Sequence, residues 1–169
     1  MIDWNRIIKE HGPDVWQTAY RLLGNHADAA DCFQETFVSA LGFCRRQKVR
    51  NFSALLARLA TARAIDQLRR RFRQVQSKTD FADCTVEECT NACPDQQAEQ
   101  KELLEKVRQS LGELPPQEAQ VFCLRYLNDM SYRQIAEQLG ITTNSAGVLL
   151  HRARARLRES VELSAQEFE

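Results

Sequence analysis

The amino-acid sequence predicts an all-α fold of two small helical domains joined by a flexible linker, with a helix-turn-helix in the second domain. Three observations support this prediction. Apolar residues recur at helical spacing along most of the 169 residues, without sustained alternation of apolar and polar positions. A polar, acidic stretch interrupts this pattern near the middle of the chain, and the last third carries closely spaced helix caps. A hydrophobic content of 43% is sufficient for two modest cores.

The first domain is predicted to span residues 1–75 and to contain three helices. Gly12 and Pro13 interrupt the apolar pattern, so the first helix is expected to begin at the proline, a residue that suits the first turn of a helix. In the second helix Phe33, Phe37 and Leu41 fall at i, i+4 and i+8, which predicts that all three are buried. The expected helices cover residues 13–23, 27–45 and 52–73.

Residues 76–97 are predicted to form the linker, because they are acidic and polar and contain few large apolar side chains. A coil of this length spans on the order of tens of ångströms, so the two domains need not touch. Cys84, Cys89 and Cys93 have no nearby histidine, which favours free thiols, with a zinc or thiol-sensing site as the alternative. We therefore predict no metal and no cofactor. The remaining cysteines are expected in the core: Cys32, Cys44 and Cys123.

The second domain is predicted to span residues 98–169. Ser131 stands three residues before Gln134, the spacing of a capping box, and Gly140 stands where a left-handed C-cap is expected. Thr142 is predicted to cap the last helix. Two further helices are expected before the helix-turn-helix, over residues 99–111 and 117–127. The last helix is rich in cationic side chains, which indicates contact with DNA phosphates: His151, Arg152, Arg154, Arg156 and Arg158.

The formal net charge is zero, but the charges are segregated along the chain. Between Arg45 and Arg73 ten basic residues accompany a single acid, Asp66, and the balance reverses between Asp80 and Glu105. A nucleic-acid partner fits both the basic segment and the helix-turn-helix.

Other classes of protein are disfavoured by the sequence. No apolar run approaches the roughly 20 residues that span a bilayer, and the first residues lack the features of a signal peptide. We therefore expect a cytoplasmic protein without direct membrane insertion. The sequence shows no nucleophile motif, phosphate-binding loop or carboxylate pair, so no enzyme activity is predicted.

Three motifs of the chain resemble those of bacterial RNA polymerase sigma factors of the small extracytoplasmic-function class, in the family's order and spacing. Segment 20–37 begins with Tyr-Arg-Leu-Leu-Gly-Asn, ends with Gln-Glu-Thr-Phe, and resembles the family's polymerase-binding segment. Residues 64–71 resemble the end of its minus-ten-reading helix, and residues 114–154 resemble its fourth conserved region. The resemblance implies a transcription initiation factor that binds core RNA polymerase, directs it to specific promoters and assists promoter melting.

The candidate polymerase-binding residues are Asp31, Gln34 and Glu35. Their spacing of i, i+3 and i+4 places them on one helix face, opposite Phe37. The resemblance implies that this face binds the clamp coiled coil of the largest polymerase subunit, and that an anti-sigma factor is a further partner. A stand-alone helix-turn-helix transcriptional regulator is the alternative function, and a purely protein-binding adaptor is a third.

The basic helix of the first domain is the expected reader of the minus-ten element, because unstacked bases suit a cationic surface with polar side chains. The chain departs from the family at Thr61, where a basic residue is common, and at Ala62, where asparagine is common, so the base preference stays open. The predicted minus-ten residues are Arg58, Thr61, Arg63, Arg69, Arg70, Arg71 and Arg73.

The predicted minus-thirty-five contacts lie in the helix-turn-helix. Where the family often has a polar and basic triplet, this chain has Gly147, Val148 and Leu149. In one interpretation Gly147 allows the DNA to approach the helix backbone closely, and Val148 or Leu149 contacts thymine methyl groups. In the other, the apolar pair packs inside the protein and Gly147 is merely tolerated. The predicted contacts are Ser131, Tyr132, Thr143, Asn144, Ser145, Gly147, Val148, His151, Arg152, Arg154 and Arg156.

Overall fold

The computed structural model describes the backbone of residues 2–77 and 94–166 and the side chains of residues 2–74 and 100–160. Within these ranges the regular structure is entirely helical, as predicted. The described ranges contain seven helices: α1 (Trp4–Leu23), α2 (His26–Arg46), α3 (Phe52–Ser77), α4 (Pro94–Glu113), α5 (Pro116–Tyr126), α6 (Tyr132–Leu139) and α7 (Thr143–Gln166). None of them is long and apolar enough to cross a bilayer.

The first helix is longer than predicted, because Gly12 and Pro13 do not interrupt it. It runs unbroken from Trp4 to a left-handed cap at Gly24. Pro13 is exposed, so the carbonyl group that loses its helical partner can bond to water instead. Gly12 is buried, and the ring of Phe33 lies 3.6 Å from the position that a Cβ would occupy there. Packing against α2 therefore outweighs the local breaking signal.

The second helix has its predicted position but not all of its predicted buried face. Phe37 is buried, Phe33 is half-buried, and Leu41 is 38% exposed. The prediction for Leu41 was wrong because eight residues turn the helix to about 80° from the starting position. Together α1, α2 and α3 form the three-helix bundle of the first domain.

The helix-turn-helix has the caps that the sequence predicts. The Ser131 hydroxyl accepts from the Gln134 amide at 3.2 Å, and the Gln134 side chain accepts from the Ser131 amide at 2.9 Å. Gly140 is left-handed, with φ at 65°. The Thr142 hydroxyl accepts from the Ser145 amide at 3.1 Å and so caps α7. The capping box fixes where α6 begins, Gly140 fixes where α6 ends, and the Thr142 cap fixes where α7 begins.

Helix extends into both ends of the predicted linker, because α3 continues to Ser77 and α4 begins at Pro94. The cysteines at 84, 89 and 93 lie outside the described residues, so their state stays a prediction. Cys32 and Cys123 are fully buried, as expected of core thiols, and Cys44 is half-buried.

The two domains pack against each other, a point that the sequence leaves open. Helix α3 contacts α4, α5 and α6 of the second domain. One hydrophobic cluster contains buried residues of both domains, among them Leu22, Leu23, Leu68, Leu111, Leu114, Cys123 and Leu157.

Candidate polymerase and nucleic-acid interfaces

The predicted polymerase-binding face lies on the outer side of α2. Asp31, Gln34 and Glu35 are all exposed and share this side of the helix, as their spacing predicts. The Glu35 carboxylate lies 3.7 Å from the guanidinium group of Arg63 on α3. Arg63 also donates to the Ser39 hydroxyl at 3.0 Å. The face is therefore acidic at Asp31 and partly neutralised at Glu35.

Val38 was missed by the sequence reasoning. It lies one turn beyond Glu35 on the same side of α2, and it is 67% exposed. An apolar side chain outside the buried stripe of an amphipathic helix is the signal that could have found it. The exposed polar face of α2 therefore continues into one exposed apolar side chain, that of Val38.

The predicted minus-ten residues do not form one open surface. Arg70 and Arg73 are exposed. Arg58 is half-buried, with its guanidinium group 5.3 Å from the ring centre of Phe43, and its Nε is buried without a hydrogen-bond partner. Burial lowers the pKa of Arg58 from its ordinary value.

Thr61 is fully buried between the two domains, where DNA cannot reach it. Its hydroxyl donates to the Asn128 side-chain oxygen at 3.4 Å, and the Asn128 amide donates to the Thr18 hydroxyl at 2.8 Å. Asn128 belongs to the turn between α5 and α6. In this arrangement Thr61 therefore contacts the second domain.

Two of the predicted minus-ten arginines also contact the second domain. Arg69 donates to the carbonyl oxygen of Leu114 at 2.7 Å, just beyond the end of α4. Arg71 forms an ion pair with Glu105 of α4 at 2.7 Å. The predicted set is therefore not one surface: Arg70 and Arg73 are exposed, Arg71 is exposed but paired with Glu105, Thr61 and Arg69 bond the second domain, and Arg58 and Arg63 are half-buried within the first domain.

Seven of the eleven predicted minus-thirty-five residues line an open groove between α6 and α7. The groove has a volume of about 620 Å³ and is lined by Tyr132, Thr143, Asn144, Gly147, Val148, His151 and Arg152. Val148 is an apolar side chain of the lining, and His151 and Arg152 contribute imidazole and guanidinium groups. The hydroxyl groups of Ser131 and Ser145 are bonded within the helix caps beside it.

The Gly147, Val148 and Leu149 triplet is divided between the groove and the core. Val148 is 43% exposed, whereas Leu149 is half-buried against the core of the second domain. A Cβ at Gly147 would meet no atom within 4 Å, so packing within the protein does not require a glycine there. The packing interpretation therefore fits Leu149 but not Val148.

The cationic residues of α7 have different surroundings. Arg154 is exposed. Arg156 lies 3.6 Å from the carboxylate of Glu118, whose side chain is only 6% exposed. Arg156 therefore has a structural partner inside the protein.

Two sigma-70 family models match the chain, region 2 over residues 7–74 and region 4 over residues 104–157. The ECF RNA polymerase sigma factor SigL of Mycobacterium tuberculosis is 32% identical over 160 residues, which cover 92% of this chain and 87% of that protein. SigE of Mycolicibacterium smegmatis is 29% identical over 160 residues, and the match covers 94% of this chain but only 62% of that longer protein. SigW of Bacillus subtilis is 26% identical over 165 residues, which cover 92% of this chain and 87% of that protein.

Two solved structures have a similar fold. CnrH in complex with the cytosolic domain of CnrY gives a TM-score of 0.59 at 23% identity, covering 94% of this chain and 87% of that chain. The sigma factor RpoE of Bartonella quintana, in complex with the anti-sigma factor NepR, gives 0.56 at 21% identity, covering 95% and 97%. With the two region models in their expected order and a relative above 30% identity, the chain belongs to the extracytoplasmic-function sigma factors, transcription initiation factors of bacterial RNA polymerase.

Proposed function

We propose that this chain binds core RNA polymerase through α2, reads promoter DNA through α3 and α7, and so directs the polymerase to specific promoters and assists their melting. The observation that supports this function best is the presence, in one chain, of an exposed acidic helix face and a separate cationic groove on a capped helix-turn-helix. A stand-alone regulator needs only the second.

The groove between α6 and α7 is suited to reading thymine in the minus-thirty-five element. Val148 is exposed in this groove, and the thymine methyl group is the apolar mark of the major groove. Thr143 and Asn144 supply hydrogen-bonding groups beside it. His151, Arg152 and Arg154 supply phosphate contacts, which set affinity more than sequence preference.

The minus-ten element is read in this proposal by the first domain, over residues 1–75. Arg70 and Arg73 are exposed and offer charge to the DNA backbone. Arg71 is exposed as well but is paired with Glu105, and Thr61 and Arg69 join these residues only when the second domain, residues 98–169, moves away. The residues between the two domains, 76–97, provide the length for such a movement.

We further propose that the chain works in the cytoplasm and is held inactive by an anti-sigma factor. The similarity in fold to CnrH and to RpoE, each solved with an inhibitory or cytosolic partner, supports this expectation.

Run-off transcription with purified core polymerase and a library of upstream sequences tests the function. We expect a stoichiometric complex with core polymerase and enrichment of templates that share two short elements. A protein that binds DNA but neither joins core polymerase nor changes its template choice would instead be a stand-alone regulator.

A further inference from the structure

A single stripe of α7 supplies four of the residues that line the groove between α6 and α7. These residues stand at i, i+3, i+4 and i+7 on the helix: Asn144, Gly147, Val148 and His151. In helix-turn-helix proteins the first residues of the second helix are the ones that reach the base edges in the major groove. Asn144 is the second residue of α7, so it is the polar member of the stripe that is placed to reach a base.

The side chain of Asn144 is exposed, and within the described residues it has no hydrogen-bond partner. Its polar neighbours serve the helix cap instead. The hydroxyl groups of Thr142 and Ser145 lie 2.8 Å apart, and the Thr142 hydroxyl also accepts from the Ser145 amide at 3.1 Å. The cap of α7 therefore does not use Asn144, and its side-chain amide is available to a ligand.

Gly147 keeps this amide uncovered. A helical side chain leans towards the N-terminus and covers the turn before it, so a side chain at position 147 would lie beside Asn144. A Cβ at Gly147 would meet no atom within 4 Å, so no other part of the described chain fills this space. The glycine therefore leaves room beside Asn144 for the edge of a base.

The side-chain amide of asparagine carries a donor and an acceptor side by side. In the major groove only adenine presents the complementary pair, because its N7 accepts and its N6 amino group donates. Guanine presents two acceptors there, which suit the donors of arginine or lysine. The imidazole and guanidinium side chains of the lining, His151 and Arg152, stand about two turns further along α7. An amide at position 144 therefore favours adenine over the other three bases.

From these observations we infer that Asn144 determines one base of the minus-thirty-five element, an adenine. Its Nδ2 group donates to adenine N7, and its Oδ1 atom accepts from the adenine N6 amino group. This inference rests on the proposed function, because it names a base that the groove proposed there would read. It makes Asn144 a specificity-determining residue, whereas a residue that binds phosphate strengthens binding to every sequence.

The position of Val148 relates this adenine to the thymine proposed above. The two residues are four apart, which separates them by about 6 Å along the helix axis. Successive base pairs are about 3.4 Å apart, so the two side chains reach bases within about two base pairs of each other. The element is therefore expected to contain an adenine and a thymine as close neighbours.

Selection with the full chain and core polymerase tests the assignment. Run-off transcription of the upstream library is carried out with the wild type and with Asn144→Asp. We expect the wild type to enrich adenine at one position of the minus-thirty-five element. The variant should enrich cytosine there, because a carboxylate accepts from the cytosine N4 amino group, and it should keep the other bases.

Gln117→Ala is the matched control, because it removes an exposed amide outside the groove, and it should select the same element as the wild type. If Asn144→Asp selects the same base as the wild type at every position, the inference is wrong. Should its carboxylate prevent DNA binding altogether, Asn144→Ala takes its place in the selection and should lose the preference at this one position. A thermal melt checks that each variant keeps its fold.

The contact is then removed from the DNA side. 7-Deazaadenine lacks the N7 acceptor, so placing it at the selected adenine should weaken the wild-type polymerase complex about fivefold, the loss of one hydrogen bond. Asn144→Ala should already bind the unmodified duplex more weakly and should lose nothing further from the analogue. Equal sensitivity of the two proteins to the analogue would overturn the inference.

The outcomes separate this inference from the proposed function. If the wild type neither joins core polymerase nor enriches any template, the proposed function fails. If the wild type selects a minus-thirty-five element whose bases do not depend on residue 144, only the assignment of Asn144 fails.

Discussion

The carboxylate of Glu35 lies 3.7 Å from the guanidinium group of Arg63 and joins the proposed polymerase face of α2 to the proposed DNA-reading helix α3. Both side chains are about half exposed, so the pair contributes little to stability by itself. The position of this ion pair determines which residue of the α2 face can be changed without affecting α3. A charge change at Glu35 also disturbs a proposed DNA contact, whereas Asp31 on the same face can be changed separately.

We therefore expect Asp31→Arg to weaken binding to core polymerase at least tenfold, about 1.4 kcal/mol. The side chain is exposed, so the fold should be unaffected. Titration of labelled core polymerase measures the affinity, and a thermal melt checks the fold. Glu10→Arg on α1, also exposed, is the control and should bind normally. Normal binding by Asp31→Arg would show that α2 is not the docking face.

The contact of Val148 with thymine is tested by removing either partner. Replacing thymine by deoxyuridine in the minus-thirty-five element deletes one methyl group, worth about 0.8 kcal/mol or roughly fourfold in affinity when it is buried. We expect this loss for the wild-type polymerase complex and a much smaller one for Val148→Ala. Equal sensitivity of the two proteins at every thymine would exclude the contact.

Gly147→Ala should increase the free energy of unfolding by up to about 1 kcal/mol, because alanine is the better helix former and its Cβ meets nothing within 4 Å. If Gly147 serves the close approach of DNA, the same change weakens minus-thirty-five binding. Urea unfolding and promoter titration measure the two effects. A variant that is more stable and keeps full promoter selectivity would leave Gly147 without a role in DNA binding.

Two arginines of α7 should behave differently although both carry the same charge. Arg154→Ala should weaken binding to all DNA sequences similarly and reduce the slope of log K against log salt by about 0.9, one phosphate contact. Arg156→Ala should in addition destabilise the fold by about 1 kcal/mol, because it leaves the buried carboxylate of Glu118 without its cation. Glu118→Gln should restore stability in that background but not DNA affinity. Equal stability of the two alanine variants would contradict the structural role of Arg156.

The buried thiols predict a loss of stability at alkaline pH. Burial raises the pKa of Cys32 to about 11 and that of Cys123 to about 12, from an ordinary value of 9.0. The unfolded chain therefore releases these protons first, so the stabilisation is complete below about pH 9 and is lost as pH rises towards 12. Urea unfolding between pH 8 and pH 10.5 measures this slope. Cys123→Ala should remove about 1.4 kcal/mol per pH unit of it above pH 9; an unchanged slope would count against the burial of that thiol.

The local features of the chain could be predicted from its sequence because they depend on neighbouring residues. The capping box of Ser131 and Gln134, the left-handed Gly140 and the cap at Thr142 involve bonds over a few residues, and all are present as predicted. The shared face of Asp31, Gln34 and Glu35 follows from helix geometry alone. The family resemblance, which depends on the order of the motifs, is confirmed by the matches to the sigma-70 region 2 and region 4 models.

Only the tertiary structure determined which predicted contact residues are exposed to solvent and which are buried or bonded within the protein. Pro13 lies inside α1 because packing outweighs its local cost, and Thr61 is buried because Asn128, distant in sequence, lies against it. Sequence periodicity identifies an apolar face but not the element that will cover it. The division of the cationic residues between solvent and the domain contact therefore depends on contacts between residues far apart in the chain, which local patterns do not encode.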